Sequence, residues 1–352
     1  MNMRQDSGLK LDVSFLTPPQ MMRRRIVIGV PYRNRPEQLK KFLARLPPFL
    51  EGCGSKSMSL VHIIIAEQSC DGNKFNRGAM LNASLRIDAA VERALRGSAL
   101  SRSLRVKDVP ESGIDDAALD PDSFISHDVD LIPEGGELRD MYLSSPSSGV
   151  AVHLAALWGR YSSRDYVGGV LCLHPSDYRK VNGYPNRFWG WGGEDDALRT
   201  RMNVCGVRVH KPRRTGSERY TDLESMTLKQ KLDYLRANRH LKNMRKWEDG
   251  SRDAMEWQQD GYNSVRFVVT SVERHKVNAR VEWVKATVKL KSLAPCHRDE
   301  PRKEPELRSA ATDKPGSVLE SGKRKGGYDE QATKRRRGET VGSVASRFVL
   351  QM

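Results

Sequence analysis

Three groups of side chains in this 352-residue chain have the types and spacing to do chemistry on an anionic substrate. The first is Asp128-Val129-Asp130, which ends the run Phe124-Ile125-Ser126-His127 ahead of Pro133. Carboxylates at i and i+2 of an extended chain share one side. A hard divalent cation takes such oxygen ligands together with substrate phosphates. The second is Asn186–Asp196, where Trp189 and Trp191 alternate with Gly190, Gly192 and Gly193 before Glu194-Asp195-Asp196. Glycine lets a backbone approach a ligand closely, Trp191 offers a flat apolar face, and the acids offer a general base for a hydroxyl. The third is basic: Arg33 and Arg35, then Arg77 beside Phe75. Guanidinium groups bind phosphate oxygens bidentately, and Phe75 could stack on a base. Each group also has an ordinary reading: solvated charges, an acidic surface turn, a chance Asp-x-Asp.

These residues need elements that gather them at one edge. Ile26-Val27-Ile28-Gly29-Val30-Pro31 is a short β-branched run, the mark of a strand buried on both faces. Pro31 closes it, Tyr32–Pro36 predicts a loop, and Leu39, Phe42, Leu43 and Leu46 recur at helical spacing within Glu37–Leu50. Leu60–Gln68 predicts a second strand, and Phe75–Asn82 leads into a helix ending near Arg96. Phe124–Pro133 predicts a third strand, and Tyr166–Leu173 another, entered through Gly168-Gly169. Pro175–Asn182 predicts a short helix capped by Ser176 or Asp177. Ala197–Cys205 predicts a helix, Val207–His210 a short strand, Arg219–Met255 a polar helical stretch, and Val265–Val269 with Ala279–Val288 a hairpin. Repeated strand–loop–helix units argue for an α/β fold with a mostly parallel central sheet and flanking helices. Ligands collect at the carboxyl ends of such strands.

Composition sets the outer bounds. A net charge of +16 favours anionic partners, whether nucleic acid, acidic membrane or phosphorylated substrate. Cys53, Cys70, Cys172, Cys205 and Cys296 form no metal-type spacing and read as reduced thiols. Residues 1–23 read as a polar extension, 24–292 as one domain, and 293–352 as a disordered basic tail. Lys323-Arg324-Lys325 and Lys334–Arg337 are spaced like a bipartite nuclear-import signal, or make the tail sticky to nucleic acid. No signal peptide or membrane span is read from the sequence, which predicts a cytoplasmic or nuclear protein.

Together, a basic loop, an Asp-x-Asp and an aromatic–acid cluster suit transfer of a sugar from a nucleotide-sugar. The segments Val30–Arg35, Phe75-Asn76-Arg77, Asp128–Pro133, Tyr166–Gly169, Trp189–Asp196 and Asp260–Ser264 also resemble, in order and spacing, those of the β-1,4-galactosyltransferase family. The resemblance spans about residues 24–290. It implies a GT-A fold and an inverting, Mn2+-dependent transfer from UDP-galactose to a carbohydrate or glycoconjugate acceptor. It makes Asp195 the catalytic base beside Glu194, with Gly193, Glu194, Asp196 and Trp191 toward the acceptor. Pro31, Arg33, Arg35, Phe75, Arg77, Asp128, Val129 and Gly169 fall on the donor side, with Trp191 closing over the sugars. Asp130 matches a metal ligand, and Tyr166 falls where a Tyr favours galactose over N-acetylgalactosamine.

The chain departs from the family in two respects. The family's later metal-ligating His, in a segment resembling Gly216–Leu223, is absent; Asp222 stands nearest, and a carboxylate is a suitable hard ligand. Residues around Lys231 and Leu232 match poorly, which leaves N-acetylglucosamine, glucose and xylose open as acceptors. Secretory members carry an anchor and disulfides, and a Golgi location follows if the N-terminus is incomplete. The alternative is a non-catalytic GT-A-like module that binds nucleotide-sugar or nucleic acid through its basic surface and tail.

Overall fold

The sheet begins where β-branched residues are densest. In the computed structural model, which describes residues 16–17, 24–51, 59–96, 104–163, 165–213 and 218–291, Arg25–Tyr32 forms β1, buried at every position. Pro36–Glu51 forms α1, Leu60–Gln68 β2 and Arg77–Arg96 α2. Ser123–His127 is β3, Leu131–Glu134 β4, Gly136–Tyr142 α3 and Val150–Val152 β5. Val170–Leu173 is β6, Pro175–Lys180 α4, Glu194–Val204 α5, Arg208–His210 β7 and Arg219–Asp222 β8. Leu228–Ala237 and Lys246–Glu256 are α6 and α7, and Phe267–Lys276 and Val281–Leu290 are β9 and β10.

Eight strands make one sheet in the order β9-β10-β2-β1-β3-β6-β5-β7. Its centre, β10-β2-β1-β3, is parallel, and β6 runs antiparallel to both β3 and β5. The period of two in β1 sorts its side chains between two layers. Val27 packs with Met80 and Ala83 of α2, whereas Ile26, Ile28 and Val30 pack with Phe42 and Leu46 of α1. A sheet covered on both faces is the reason its strands read as near-continuous apolar runs.

Several elements differ from the sequence reading. The third strand stops at His127, because Asp128–Asp130 turns and the Leu131 N–H donates to the Asp128 carbonyl at 3.3 Å. Asp128 and Asp130 therefore do not share the side of an extended strand. Arg219–Asp222 is a strand paired antiparallel with β4, not the start of a helix. Helix α5 starts at Glu194, three residues before Ala197. The α4 cap is His174, whose side chain accepts the Ser176 N–H, in place of Ser176 or Asp177.

The chain divides into Met1–Pro301 and Arg302–Met352. The basic clusters at 323–325 and 334–337, Gly216, Cys53, Cys296 and all of residues 1–23 except 16–17 lie outside the described residues. Cys70, Cys172 and Cys205 are free thiols. Among the described residues no helix is long and apolar enough to cross a membrane.

Candidate functional site

The strand ends deliver the first set of side chains. Arg33 and Arg35 follow β1 directly, and Asp128 and Asp130 follow β3, its parallel neighbour. Arg35 donates to Asp130 Oδ2 at 2.7 Å and to Glu224 Oε1 at 3.1 Å. Arg33 donates to the Asn73 carbonyl at 2.6 Å. Pro31 and Val129 are buried supports of the two strand ends. The Asp128 N–H donates to the Gly169 carbonyl at 3.0 Å, so the loop before β6 holds the acid loop in place.

Arg77 is placed by a cap. Asn76 Oδ1 accepts the Ala79 N–H at 2.9 Å, which starts α2 with Arg77 at its first position. Arg77 Nε donates to Asp128 Oδ1 at 2.7 Å and Nη1 to Asp195 Oδ1 at 2.8 Å; Nη1 also lies 3.8 Å from Glu194 Oε1. Arg77 thus joins the carboxylate that follows β3 to the carboxylate at the start of α5. Burial lowers its pKa, but Asp128 and Asp195 outweigh burial and hold it well above the usual arginine range. Phe75 is half-buried against the core, and its carbonyl accepts the Gly190 N–H at 2.8 Å.

The acids open a helix. Gly193 is the α5 cap with φ +105°, and a β-carbon there would stand 2.7 Å from the Phe188 ring. Glu194, Asp195 and Asp196 fill the first turn, where the helix dipole favours negative charge. Successive helical positions point different ways. Glu194 and Asp195 turn inward and are buried, whereas Asp196 turns outward and takes Lys246 Nζ at 2.6 Å. Burial, then the Asp195 charge, pushes Glu194 up to about 7. Burial likewise raises Asp128, with Arg77 opposing. Tyr166 Oη donates to Asp195 Oδ2 at 3.4 Å. Glu194 Oε2 and Arg77 Nη2 are buried with no hydrogen-bond partner, polar atoms that a bound ligand would satisfy.

Four supports act through contacts that the sequence did not reveal, although Gly168, Asn186 and Asp260 fall in segments it singled out. Gly168 packs so closely that a β-carbon there would stand 2.3 Å from Tyr166 Oη and 2.4 Å from Asp195 Oδ2. The only signal for it was the Gly pair. Asn186 carries the start of the Trp–Gly stretch: its amide donates to the Gly261 carbonyl at 2.6 Å, and its Oδ1 accepts from Asn82 at 2.9 Å. Arg201, 1 % exposed, pairs with Asp253 and donates to the carbonyls of Asn182 and Gly183 at 3.1 and 3.0 Å. Asp260 accepts the Asn186 N–H at 3.2 Å. Trp191 is 40 % exposed, and its backbone bridges Lys242: the Trp191 N–H donates to the Leu241 carbonyl, the Asn243 N–H to that of Trp191.

The β4–β8 pairing sets Asp222 opposite Leu131, next to Asp130, and the Leu223 N–H donates to the Asp130 carbonyl at 2.8 Å. Both carboxylates are largely buried. Among the described residues no group of three or more His, Cys, Asp or Glu side chains is placed to hold a metal.

This sheet, with ligand-type groups at the parallel strand ends, is of the GT-A type. It matches the catalytic domain of Drosophila β-1,4-galactosyltransferase 7 complexed with xylobiose, with a TM-score of 0.54 and 21 % identity over 76 % of this chain and 95 % of that one. A point variant of that enzyme, complexed with manganese, UDP-Gal and xylobiose, matches with a TM-score of 0.51 and 22 % identity, again over 76 % of this chain and 95 % of that one. A family model for the N-terminal domain of galactosyltransferase matches residues 149–225. Cattle β-1,4-galactosyltransferase 3 is 31 % identical over 254 residues, 71 % of this chain and 53 % of that protein. The human protein of that name is 33 % identical over 192 residues, 54 % of this chain and 40 % of its own length. The chain belongs to the β-1,4-galactosyltransferase family. It spans about half the length of the curated relatives it matches.

Proposed function

We propose that this chain is an inverting glycosyltransferase that moves galactose from UDP-galactose to a sugar hydroxyl, with Asp195 as general base. One observation carries the reading. Asp195 is buried at the amino end of α5, fixed by Arg77 and Tyr166, at the edge where β1 and β3 deliver Arg33, Arg35 and Asp130. In a single displacement the acceptor oxygen attacks the anomeric carbon and Asp195 takes its proton. The bond from that carbon to the diphosphate breaks, and UDP leaves with the electron pair. Glu194, its pKa raised by burial and the Asp195 charge, can donate to an acceptor hydroxyl when protonated and accept from it when ionised. Arg33 and Arg35 lie where a diphosphate would bind, and Trp191 offers its exposed face to a sugar ring.

Mn2+ belongs to the same proposal. Asp222 ends β8 opposite Leu131, and Asp130 is the turn residue just before it; both are hard oxygen donors, and such donors suit this ion. Small hard cations are commonly held by one or two carboxylates plus substrate phosphates. The bound ion would neutralise charge on the departing diphosphate. The Asp222 that stands where the family resemblance leads one to expect a ligating His supports a second reading, a module that binds nucleotide-sugar without transferring it.

The test is transfer by purified protein from UDP-galactose, UDP-glucose and UDP-N-acetylgalactosamine, with and without Mn2+. Asp195→Asn should lower transfer by roughly 10²–10⁴-fold, the usual range for a general base, while UDP binding is retained. Normal turnover by the variant would overturn the base assignment. UDP binding without transfer by the wild type would establish the binding module instead.

A further inference from the structure

A surface helix ordinarily turns its apolar stripe toward the core. Helix α7 does the reverse. Trp247, Ser251, Ala254 and Met255 recur at the spacing of one helix side, and all four are exposed. Asp253, from the opposite side, is the buried one, held by Arg201. Trp247 and Met255, at 83 % and 78 %, are the two most exposed large apolar side chains among the described residues, and Leu241 and Met244 just ahead of α7 are exposed as well. The charge around this surface is one-sided. Each α7 carboxylate has a partner: Glu248 pairs with Arg245 at 2.8 Å, Asp249 with the Asn243 amide at 3.1 Å, Asp253 with Arg201 at 3.1 Å and Glu256 with Arg187 at 3.0 Å. Lys74, Arg239 and Lys242 make no ion pair among the described residues. Lys74 Nζ donates to the Lys242 carbonyl at 3.1 Å, which brings its charge to the same segment.

We propose that this surface is a membrane-docking face, where α7 lies along an anionic lipid bilayer. Leu241, Met244, Trp247 and Met255 enter between the headgroups, and Lys74, Arg239 and Lys242 meet lipid phosphates. The proposal does not depend on the transferase reading. A helix with apolar residues on one side and cations beside it is the form that rests in the plane of a bilayer, and no described helix is long and apolar enough to cross one. An indole, apolar with one N–H donor, suits the boundary between acyl chain and water. Lysine stems cover apolar surface while their ammonium groups stay among the headgroups. Charge decides between lipid and protein. Protein interfaces are depleted in Lys, whereas each cation near an anionic leaflet adds attraction. Two unpaired lysines and an arginine beside exposed Trp and Met therefore select anionic lipid.

The experiment uses the full chain and vesicles of phosphatidylcholine with and without phosphatidylserine. Sedimentation with the vesicles gives a partition coefficient for wild type and for the double variant Trp247→Ser, Met255→Ser. The basic residues beyond 301 are the same in both proteins, so their share of the binding cancels. Partitioning onto phosphatidylserine vesicles should fall roughly tenfold in the variant, one decade for the lost apolar burial, and wild-type binding should weaken as salt rises. A second measurement asks whether the indole itself enters the lipid. Vesicles with brominated acyl chains should quench part of the wild-type tryptophan emission, and Trp247→Phe, which keeps an aromatic ring at this exposed position, should lose that part. Equal partitioning of wild type and double variant overturns the proposal, as does quenching that Trp247→Phe leaves unchanged. Equal wild-type binding to neutral and anionic vesicles overturns the choice of anionic lipid. Absence of vesicle binding together with self-association that the double variant abolishes would assign the face to a second copy of the chain and overturn the membrane.

Discussion

The candidate site side chains that follow β1 and β3 leave the ends of hydrogen-bonded strands. The Trp–Gly stretch hangs instead from turns braced by side chains far along the chain. Arg33, Arg35, Asp128 and Asp130 owe their positions to the β1–β3 ladder and need few helpers. The Trp–Gly stretch has no ladder beyond one bridge: Asp260 accepts its Asn186 N–H, and Asn186, Asn182 and Arg201 brace the chain around it by donating to the carbonyls of Gly261, Trp257 and Asn182 with Gly183. A ladder spreads its load over many equivalent bonds. A side-chain brace concentrates it in a few residues, so the acceptor half should be the more fragile to single substitutions.

The sharpest test of that contrast is Arg201→Met. It leaves the buried Asp253 carboxylate unpaired and strips partners from the Asn182 and Gly183 carbonyls. Removing one member of a buried pair costs about 3–5 kcal/mol, read as a lower midpoint in urea. A change within ~0.5 kcal/mol would break the distinction between the halves.

Gly168→Ala comes next. A new methyl against Tyr166 and Asp195 should cost about 1–3 kcal/mol as overpacking. Its larger signature is kinetic: kcat should fall well beyond what lost folded protein explains, because the displaced atoms belong to the site. Equal losses of activity and folded fraction would reduce Gly168 to a packing residue.

On the proposed donor side, Asp222→Ala should leave the midpoint nearly unchanged and raise the Mn2+ concentration needed for half-maximal transfer several-fold, one proposed ligand being lost. An unaltered Mn2+ profile would remove Asp222 from the metal assignment.

The smallest expected effect lies at the other end of the sheet. His62 on β2 is buried between Asp88 of α2, at 2.8 Å, and Glu282 of β10, at 3.6 Å, with Arg25 of β1 also on Asp88. Burial lowers its pKa, but the Asp88 bond and both acid charges outweigh burial and raise it above the usual 6.5. A folded value above the unfolded one adds stability that is complete below about pH 6.5 and is lost as pH rises through the raised value. His62→Gln should therefore flatten the stability profile above pH 6.5. A wild-type-minus-variant difference that stays constant from pH 6 to 9 would rule this out.

The contrast also explains how legible the chain was. Ladder-held features were readable: Leu60–Gln68 coincides with its strand, and Asp128 and Asp130 do follow a strand end. Period and β-branching are local properties of a sequence. The turn that separates Asp128 from Asp130 was not readable, since it depends on β4 pairing with a strand almost ninety residues later. The same distant pairing hid Arg219–Asp222, whose polar composition reads as helix or loop. Arg201 carried no local signal, and the stretch that opens on Asn186 stood out for its Trp, Gly and acid residues, because a polar residue reveals a bracing role only through the distant carbonyls it satisfies. Asp196 shows the remaining gap. Its type matched Glu194 and Asp195, but helical geometry sends it outward to Lys246.

Arg77 has a consequence for how the two half-sites respond to each other. One guanidinium grips Asp128 on the donor side and Asp195 on the acceptor side. A ligand that draws Arg77 toward one carboxylate alters the affinity of the other for its own partner. Linkage requires the reverse influence to be equal in free energy. In the proposed transferase, donor and acceptor would therefore influence each other through this one side chain.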